Sequence, residues 1–398
     1  MHIVYISREY PPSLRGGGIA TYIKIMAEEF AARGERVTVI AASDDTSKDS
    51  DEIIHGVRVV RLSGGDFCIK EAEPNSGSLS KLRFIYRFKS YRKKIRNFID
   101  TLENVDIIEV AEYGAEGLFL NGINIPVVYR LHTPALLDHI RFNKQKINKS
   151  NFLYYYSGLK ELRILKNQAH YITSCSTSLK EWCEKWVGIE ADKIKVIYNP
   201  LQPDFISKED YCKHEQASIF FAGTICDWKG AGDLVEACEI LLSRGIKIQL
   251  KMAGKVGAFG EILKHKYKNH DWLNILGKIP QNQLKQLYRS SDVVCFPSWW
   301  ENMPMVCIEA MALGCIVIGS DSGGMSEIIE DGRSGFLLPP KQPSLWADKI
   351  IKVFNMTEKN RLKISNEAQQ RVQDVFNLND IADQTYNYYQ FVINDYKR

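Results

Sequence analysis

Short apolar runs alternate with helical patterns along most of the chain, and this alternation limits the fold more than any other feature. Strands are predicted at residues 2–7, 37–41, 57–61, 106–110, 127–131, 171–175 and 195–198 of the first half. They are predicted again at residues 218–222, 247–252, 273–276, 293–296 and 316–319. Strands that alternate with helices form mostly parallel sheets covered by those helices. The sequence therefore predicts an α/β fold.

The chain is long enough for two domains, since its 398 residues can build two separate cores. Asn199, Pro200 and the polar stretch 202–216 are predicted to form the linker between them. The net charge of +4 is too small to give the electrostatic footprint of a nucleic-acid-binding protein. We expect no nucleic-acid partner.

Neither a membrane span nor a secretory leader is predicted. No apolar run approaches the ~20 residues that cross a bilayer, and the chain enters its first strand directly. The nine cysteines include no C-x-x-C pair, which argues against structural zinc and for reduced thiols. We expect a cytoplasmic protein.

The stretch 296–324 is predicted to contain the end of a strand, a loop, a helix at 303–313, a second strand and a glycine turn. Glu301 precedes this helix, and Glu309 lies about two turns, or ~12 Å, along it. This separation suits two ends of a long ligand better than an acid/base pair flanking one bond. The N–H groups of the first helical turn favour phosphate. In the alternative, Glu301 only complements the helix dipole and Glu309 is an exposed helix residue.

The spacing of Glu301 and Glu309, with Gly314, Gly323 and Gly324 after them, resembles the E-x7-E signature of retaining glycosyltransferases of the family 4 type. These enzymes adopt the GT-B fold, with two Rossmann-like α/β domains facing a deep cleft. The resemblance implies an acceptor-side domain at 1–199 and a nucleotide-sugar domain at 200–377. A C-terminal helix, 378–398, would return to the first domain.

The resemblance also assigns roles in the second half of the chain. Glu301 would contact the transferred sugar, and Glu309 the ribose. Lys229 would bind the diphosphate and act in catalysis. The other donor-binding positions are Gly223, Thr224, Ile279, Asn302, Met303, Pro304 and Met305. Ile279 would lie beside the base.

Thr224 departs from the family pattern, which usually has arginine at this position. A guanidinium offers the diphosphate a charged fork, whereas a threonine hydroxyl offers one neutral hydrogen bond. Arg15, beside the glycine loop, is the candidate for a compensating cation.

A glycine loop, Gly16, Gly17 and Gly18, follows the first strand and opens the predicted helix 20–33. It half fits the dinucleotide fingerprint, with Asp44 placed to contact a ribose, so a dinucleotide-dependent oxidoreductase is an open alternative. In the family, a loop at this position faces the donor phosphates. The family also has a catalytic histidine near the transferred sugar, in the loop after the strand that corresponds to 127–131, and His132 matches its position.

The resemblance implies a hexosyltransferase (EC 2.4) that retains the anomeric configuration and uses neither metal nor cofactor. Its donor would be a UDP-sugar, with GDP-sugar as an alternative. The acceptor would be a glycan or a lipid-linked glycan of cell-surface polysaccharide biosynthesis. Alternatives are a GT-B phosphorylase or epimerase, and a degenerate transferase that binds nucleotide-sugar or glycan without turnover.

Residues 81–99 combine an apolar stripe with many basic side chains. The stripe comprises Phe84, Phe88, Tyr91, Ile95 and Phe98. Two interpretations stay open. The helix could rest on the inner face of an anionic membrane, or its stripe could pack inside the domain with the basic face in water.

Overall fold

The fold is described from a computed structural model that covers residues 1–14, 16–45, 47–65, 77–137, 147–148, 151–205 and 217–397. It divides into two compact units. Unit 1 comprises Met1–Tyr198 and Asn379–Arg398, and unit 2 comprises Asn199–Leu378. Arg15 lies outside the described residues.

Unit 1 is built on an eight-stranded sheet in the order β3-β4-β2-β1-β5-β6-β7-β8. The strands are β1 His2–Ile6, β2 Arg36–Ala42, β3 Ser50–Ile54, β4 Val57–Leu62, β5 Ile107–Ala111, β6 Val127–Leu131, β7 Tyr171–Ser174 and β8 Ile194–Val196. Neighbours pair in parallel except β3, which is antiparallel to β4. The predicted α/β class is confirmed, but β3 was not among the predicted strands. Four of the five β3 residues are exposed, so no buried alternation marks this edge strand.

Helices α1 Gly18–Ala32, α2 Ser78–Ile99, α3 Tyr156–Asn167 and α4 Thr177–Val187 complete this unit, together with the C-terminal helix α12 Leu378–Tyr396. Side chains attach α12 to the sheet. The buried Tyr389 hydroxyl donates to Glu109 Oε2 at 2.7 Å, and the Tyr171 hydroxyl donates to Asp395 at 2.7 Å. The last helix therefore belongs to unit 1.

The apolar stripe of α2 packs inside unit 1. Phe84, Phe88, Tyr91 and Ile95 are 0–3% exposed, and the rings of Phe84 and Phe88 contact Tyr156 of α3 edge-on. This stripe cannot rest on a membrane, so that part of the membrane interpretation is wrong. No described helix is long and apolar enough to cross a bilayer.

Unit 2 is built on a parallel sheet in the order β11-β10-β9-β12-β13-β14. Its strands are β9 Ala217–Ala222, β10 Ile248–Ala253, β11 Leu273–Gly277, β12 Val293–Phe296, β13 Val317–Ser320 and β14 Phe336–Leu338. Its helices are α5 Ala231–Ser243, α6 Ala258–Lys266, α7 Gln281–Arg289, α8 Met305–Ala312, α9 Met325–Ile328, α10 Pro343–Phe354 and α11 Glu358–Val375. The order is that of a Rossmann sheet.

The start of the predicted linker is packed rather than free. Leu201 and Phe205 are buried, and the Leu201 amide donates to the Phe376 carbonyl at 2.7 Å. Residues 201–205 thus belong to unit 2, whereas 206–216 lie outside the described residues.

Strand order reverses beside the first strand of each sheet, between β1 and β5 in unit 1 and between β9 and β12 in unit 2. Ligands of open α/β sheets bind at such switch points, outside the carboxyl ends of the strands. The loops after these four strands are therefore the first places to look for a site.

Candidate active site

The switch point of unit 2 brings two loops together. The loop after β9 runs through Gly223 and Thr224 to Lys229, and the loop after β12 runs from Pro297 to Pro304. The Trp299 amide donates to the Trp228 carbonyl at 2.8 Å, which ties the two loops directly. Side chains far apart in the sequence thus meet at one edge of the sheet.

Gly230 makes this approach possible. It starts α5 with φ of 70°, and a Cβ at this position would lie 2.1 Å from the Pro297 carbonyl oxygen. A side chain at residue 230 would push the two loops apart.

We expect Gly230→Ala to destabilise the protein by about 2–3 kcal/mol, since the left-handed backbone and the clash with Pro297 both cost free energy. The matched control is Gly245→Ala. Gly245 also has a positive φ, of 79°, but a Cβ there meets nothing within 4 Å, so about 1 kcal/mol is expected. Urea unfolding followed by circular dichroism measures both. Equal losses would show that the close contact with Pro297 carries no cost.

Lys229 and Glu301 form an ion pair at this edge. Ser298 Oγ also donates to Glu301 Oε1, at 3.0 Å. The ammonium lies over the Trp228 ring, 4.3 Å from its centroid. The side chains of Lys229 and Glu301 are 18% and 12% exposed, so solvent reaches both. The pair is held in place yet open to a ligand.

The backbone of Glu301 is fixed from the other side by the turn after β13. The Gly324 amide donates to the Glu301 carbonyl at 2.8 Å. A Cβ at Gly323, whose φ is 70°, would lie 2.1 Å from that carbonyl oxygen. The glycines noted in the sequence therefore position Glu301.

The helix α8 begins at Met305, two residues later than predicted, with Pro304 at its N-cap and no side-chain cap. Asn302, Met303, Pro304 and Met305 are buried, and Trp300 Nε1 donates to Asn302 Oδ1 at 2.9 Å. The first amides of an α-helix have no partner within the helix. This helix start therefore offers N–H donors and a positive dipole end beside Glu301.

Glu309 lies inside α8 and is 7% exposed, so its interpretation as an exposed helix residue is wrong. Burial raises the pKa of Glu309 to about 7, against a smaller opposing effect of Lys285. Among the residues that the structure describes, none donates a hydrogen bond to its carboxylate. A buried carboxylate without a donor is costly for a folded protein unless a ligand satisfies it.

The loops after β9, β10 and β11 continue this edge of the sheet. Gly223 adopts φ of 147°, and a Cβ at Gly254 would lie 1.9 Å from its carbonyl oxygen. Thr224 and Ile279 are half-buried. The Gly254 amide donates to the Gly277 carbonyl at 2.8 Å. These residues therefore follow adjacent strands of the same sheet.

In unit 1, the glycine loop is exposed and opens α1, with Gly17 at the N-cap. Asp44 holds the preceding turn, accepting from Ser13 Oγ at 3.0 Å and from the Leu14 amide at 2.8 Å. Its carboxylate thus holds the loop in place, which accounts for this acidic position without a ribose contact.

His132 follows β6 and is 5% exposed. Burial, and then the nearby Arg130, holds its pKa well below the usual value, so the imidazole is neutral. Its backbone amide donates to both carboxylate oxygens of Glu112 at 2.9 Å. The Tyr22 ring contacts the imidazole edge-on, with the centroids 5.1 Å apart. A neutral, fixed histidine can exchange hydrogen bonds but cannot act as a strong acid.

Two buried carboxylates beside His132 were missed by sequence reasoning. Burial, and then repulsion by Glu161, raises the pKa of Glu112 to about 8. Glu161, whose pKa burial raises to about 7, accepts from the amides of Gly114 and Ala135 at 2.7 and 2.8 Å. Glu112 directly follows β5, at the switch point of the sheet. This position in the sequence could have identified it as a candidate site residue.

The candidate site residues divide between the two units. Gly223, Thr224, Lys229, Ile279, Glu301–Met305 and Glu309 belong to unit 2, and Gly16–Gly18 and His132 belong to unit 1. No group of three or more His, Cys, Asp or Glu side chains placed to hold a metal ion occurs in the described part of the chain.

Comparisons with known proteins cover both units. The model described as glycosyltransferase family 4 matches residues 16–205, and that described as glycosyl transferases group 1 matches residues 204–371. An uncharacterized glycosyltransferase of Methanocaldococcus jannaschii is 27% identical over 99% of this chain and 99% of its own.

Solved structures extend the likeness to the fold. Sucrose-phosphate synthase from Thermosynechococcus elongatus has a TM-score of 0.79 at 19% identity and covers 99% of both chains. HepE of Anabaena in complex with UDP-glucose has a TM-score of 0.72 at 18% identity, over 98% of this chain and 99% of that chain. At these identities the likeness concerns the fold.

Proposed function

Because the chain belongs to the family 4 glycosyltransferases and is a hexosyltransferase of the GT-B fold, we propose that unit 2 binds a nucleotide-sugar and that the sugar passes to a glycan or lipid-linked acceptor. A UDP-sugar is favoured over a GDP-sugar. The structural neighbour bound to UDP-glucose supports this preference.

The observation that carries the proposal is the Glu309 carboxylate. It is buried in α8, and no described residue donates a hydrogen bond to it. One carboxylate can accept from two neighbouring hydroxyls, which is what the ribose of a nucleotide presents. The bound ribose would supply the missing donors.

Lys229 and Glu301 change partners when the donor binds. Each compensates the charge of the other without ligand. The lysine then turns to the diphosphate, and the carboxylate of Glu301 accepts from hydroxyls of the transferred sugar. Ser298 keeps Glu301 in place during this exchange. The pair is thereby held ready without leaving either charge uncompensated.

The start of α8 stabilises the departing diphosphate. Negative charge grows on the leaving group as the bond to the anomeric carbon breaks, and fixed N–H donors favour that charge. Asn302, Met303, Pro304 and Met305 would line the donor here. Gly223 and Thr224 would lie beside the phosphates, and Ile279 beside the base.

Unit 1 contributes the glycine loop and His132. Exposed Gly16, Gly17 and Gly18 let a phosphate approach the backbone. The neutral His132 would donate a hydrogen bond to the transferred sugar, held by the contact of its amide with Glu112. Arg15 would add a cation to compensate for Thr224.

The reaction we propose retains the anomeric configuration. The bond between the anomeric carbon and the diphosphate breaks, and the acceptor hydroxyl attacks the same face. Its proton passes to the departing phosphate oxygen. This route needs no enzyme nucleophile, metal or cofactor. The product would enter a cell-surface polysaccharide. The enzyme would work in the cytoplasm and would bind its acceptor through unit 1.

A panel of nucleotide-sugars tests the function. A UDP-sugar at about a hundred times its Kd adds about 2.7 kcal/mol of stability, which raises the melting temperature by a few degrees. The same sugar should release UDP slowly by hydrolysis. Glu309→Gln is the control variant and should lose most of the shift.

The alternatives give different results in the same panel. A degenerate transferase would be stabilised but would never release nucleotide diphosphate. A dinucleotide-dependent oxidoreductase would respond to NAD(P). If no nucleotide-sugar raised the melting temperature of the folded protein or was hydrolysed by it, the proposal would be refuted.

A further inference from the structure

A basic pocket of about 360 Å³ lies in unit 1, and its described lining includes none of the site residues named above. Lys89 and Lys93 of α2 and Lys160 and Arg163 of α3 line it, with Phe119 among its apolar neighbours. The described residues of the lining include four cations and no carboxylate. A pocket with this lining selects an anion.

Among the residues that the structure describes, no carboxylate pairs with these four cations. Other basic residues of α2 do have acidic partners: Lys94 Nζ lies 2.6 Å from Asp49 Oδ1, and Arg96 Nε lies 3.0 Å from Asp100 Oδ1. None of the four pocket cations has such a partner among the residues that the structure describes. Burial, and then repulsion by Arg163 and Lys89, lowers the pKa of Lys160. An anion in the pocket would relieve this repulsion.

The same face of α2 continues as an exposed apolar surface. Leu79, Leu82 and Tyr86 are 82%, 67% and 72% exposed. Together with Lys89 and Lys93 they recur at steps of three and four residues, which places all five on one face of the helix. This face is distinct from the buried stripe of Phe84 and Phe88. Large apolar side chains next to uncompensated cations are typical of a surface that lies in the membrane interface.

We propose that this pocket binds the phosphoester head group of an anionic membrane lipid, while Leu79, Leu82 and Tyr86 enter the boundary between head groups and acyl chains. The cations contact the phosphate, and the apolar side chains bury their exposed area. The surface consists of residues of unit 1 that have no part in donor binding. The inference therefore does not depend on the proposed function.

Vesicle flotation of the full chain tests the proposal, with phosphatidylglycerol and phosphatidylcholine in equal parts and pure phosphatidylcholine as reference. Each cation near an anionic surface contributes about 1 kcal/mol, so Lys93→Gln with Arg163→Gln should weaken partitioning about 25-fold. The matched control, Lys185→Gln with Lys195→Gln, removes the same charge from α4 and β8, which do not line the pocket, and should change partitioning less than about twofold. If both double variants lost vesicle binding equally, the pocket would not be the binding site, and the loss would reflect net charge alone.

A second pair of measurements separates a lipid from a soluble phosphoester. Leu82→Ser with Tyr86→Ser should weaken vesicle binding about tenfold, yet leave binding of soluble glycerophosphoglycerol unchanged. Vesicles should also protect Lys89, Lys93 and Lys160 from acetylation, read by mass spectrometry, but not Lys195, an exposed residue of β8. Binding of the soluble head group alone, with no vesicle binding, would overturn the lipid assignment. If the protein binds vesicles but the pocket lysines are acetylated as fast as without vesicles, the pocket is not the binding site.

Discussion

Glu301→Gln should lower kcat about a thousandfold while changing donor affinity much less. In the proposed reaction the carboxylate accepts from hydroxyls of the transferred sugar, and these bonds strengthen as positive charge develops on the sugar ring. Two charge-assisted hydrogen bonds of about 2 kcal/mol each account for such a loss. The amide keeps the shape of the side chain but not its charge. Initial rates at saturating donor and acceptor measure the effect.

Ser298→Ala provides the graded control. It removes the hydrogen bond of 3.0 Å to Glu301 Oε1 and leaves the ion pair with Lys229. Since a hydrogen bond to a charged carboxylate contributes about 1.5 kcal/mol or more, about a tenfold loss of kcat is expected. Wild-type turnover of Glu301→Gln, in a preparation with an unchanged melting temperature, would contradict the assignment.

Glu309→Gln should weaken donor binding about fiftyfold at pH 8 and stabilise the folded protein at the same time. The binding loss follows from replacing a double acceptor of ribose hydroxyls by an amide. The stability gain follows from burial, which raises the pKa of Glu309 to about 7. Such opposed effects are expected where a site is kept at the expense of stability.

The sign of the pH dependence is fixed by that raised pKa. The unfolded chain loses this proton near its ordinary value, about 4.5, whereas the folded chain keeps it until about 7. Stability is therefore full below the unfolded pKa and falls as pH rises towards the folded pKa. Above it the penalty reaches at most about 3 kcal/mol. At pH 4.5, Glu309→Gln should have the same melting temperature as the wild type. At pH 8, its melting temperature should be higher than that of the wild type.

Donor affinity should show the opposite trend. The ionised carboxylate is the better acceptor, so wild-type affinity should rise about tenfold between pH 6 and pH 8, while that of Glu309→Gln stays flat. Isothermal titration with a UDP-sugar measures both. Glu261→Gln, an exposed position of α6, is the control and should behave as the wild type. A pH-dependent affinity in Glu309→Gln equal to that of the wild type would assign the titration to another group.

The sequence by itself determined the fold class, and it supplied the candidate positions of the site proposed in unit 2. The periodicity of strands and helices records which side of each element is buried. Most predicted elements therefore begin and end within one to four residues of the observed ones. The spacing of Glu301 and Glu309 identified the family because a strand, a loop and a helix start form one local unit. The substitution at Thr224 was likewise visible without a structure.

Only the tertiary structure decided what these residues contact. Lys229 and Glu301 pair because the sheet order places β9 beside β12, and no local pattern encodes strand order. Glu309 proved buried although it lies on a helix, and Lys285 of α7 acts on its charge from another element. On α2, periodicity found the stripe, but packing against α3 decided that it is covered and that Leu79, Leu82 and Tyr86 are left in water. Burial within an element is a local property of the sequence, whereas partners are set by how elements meet.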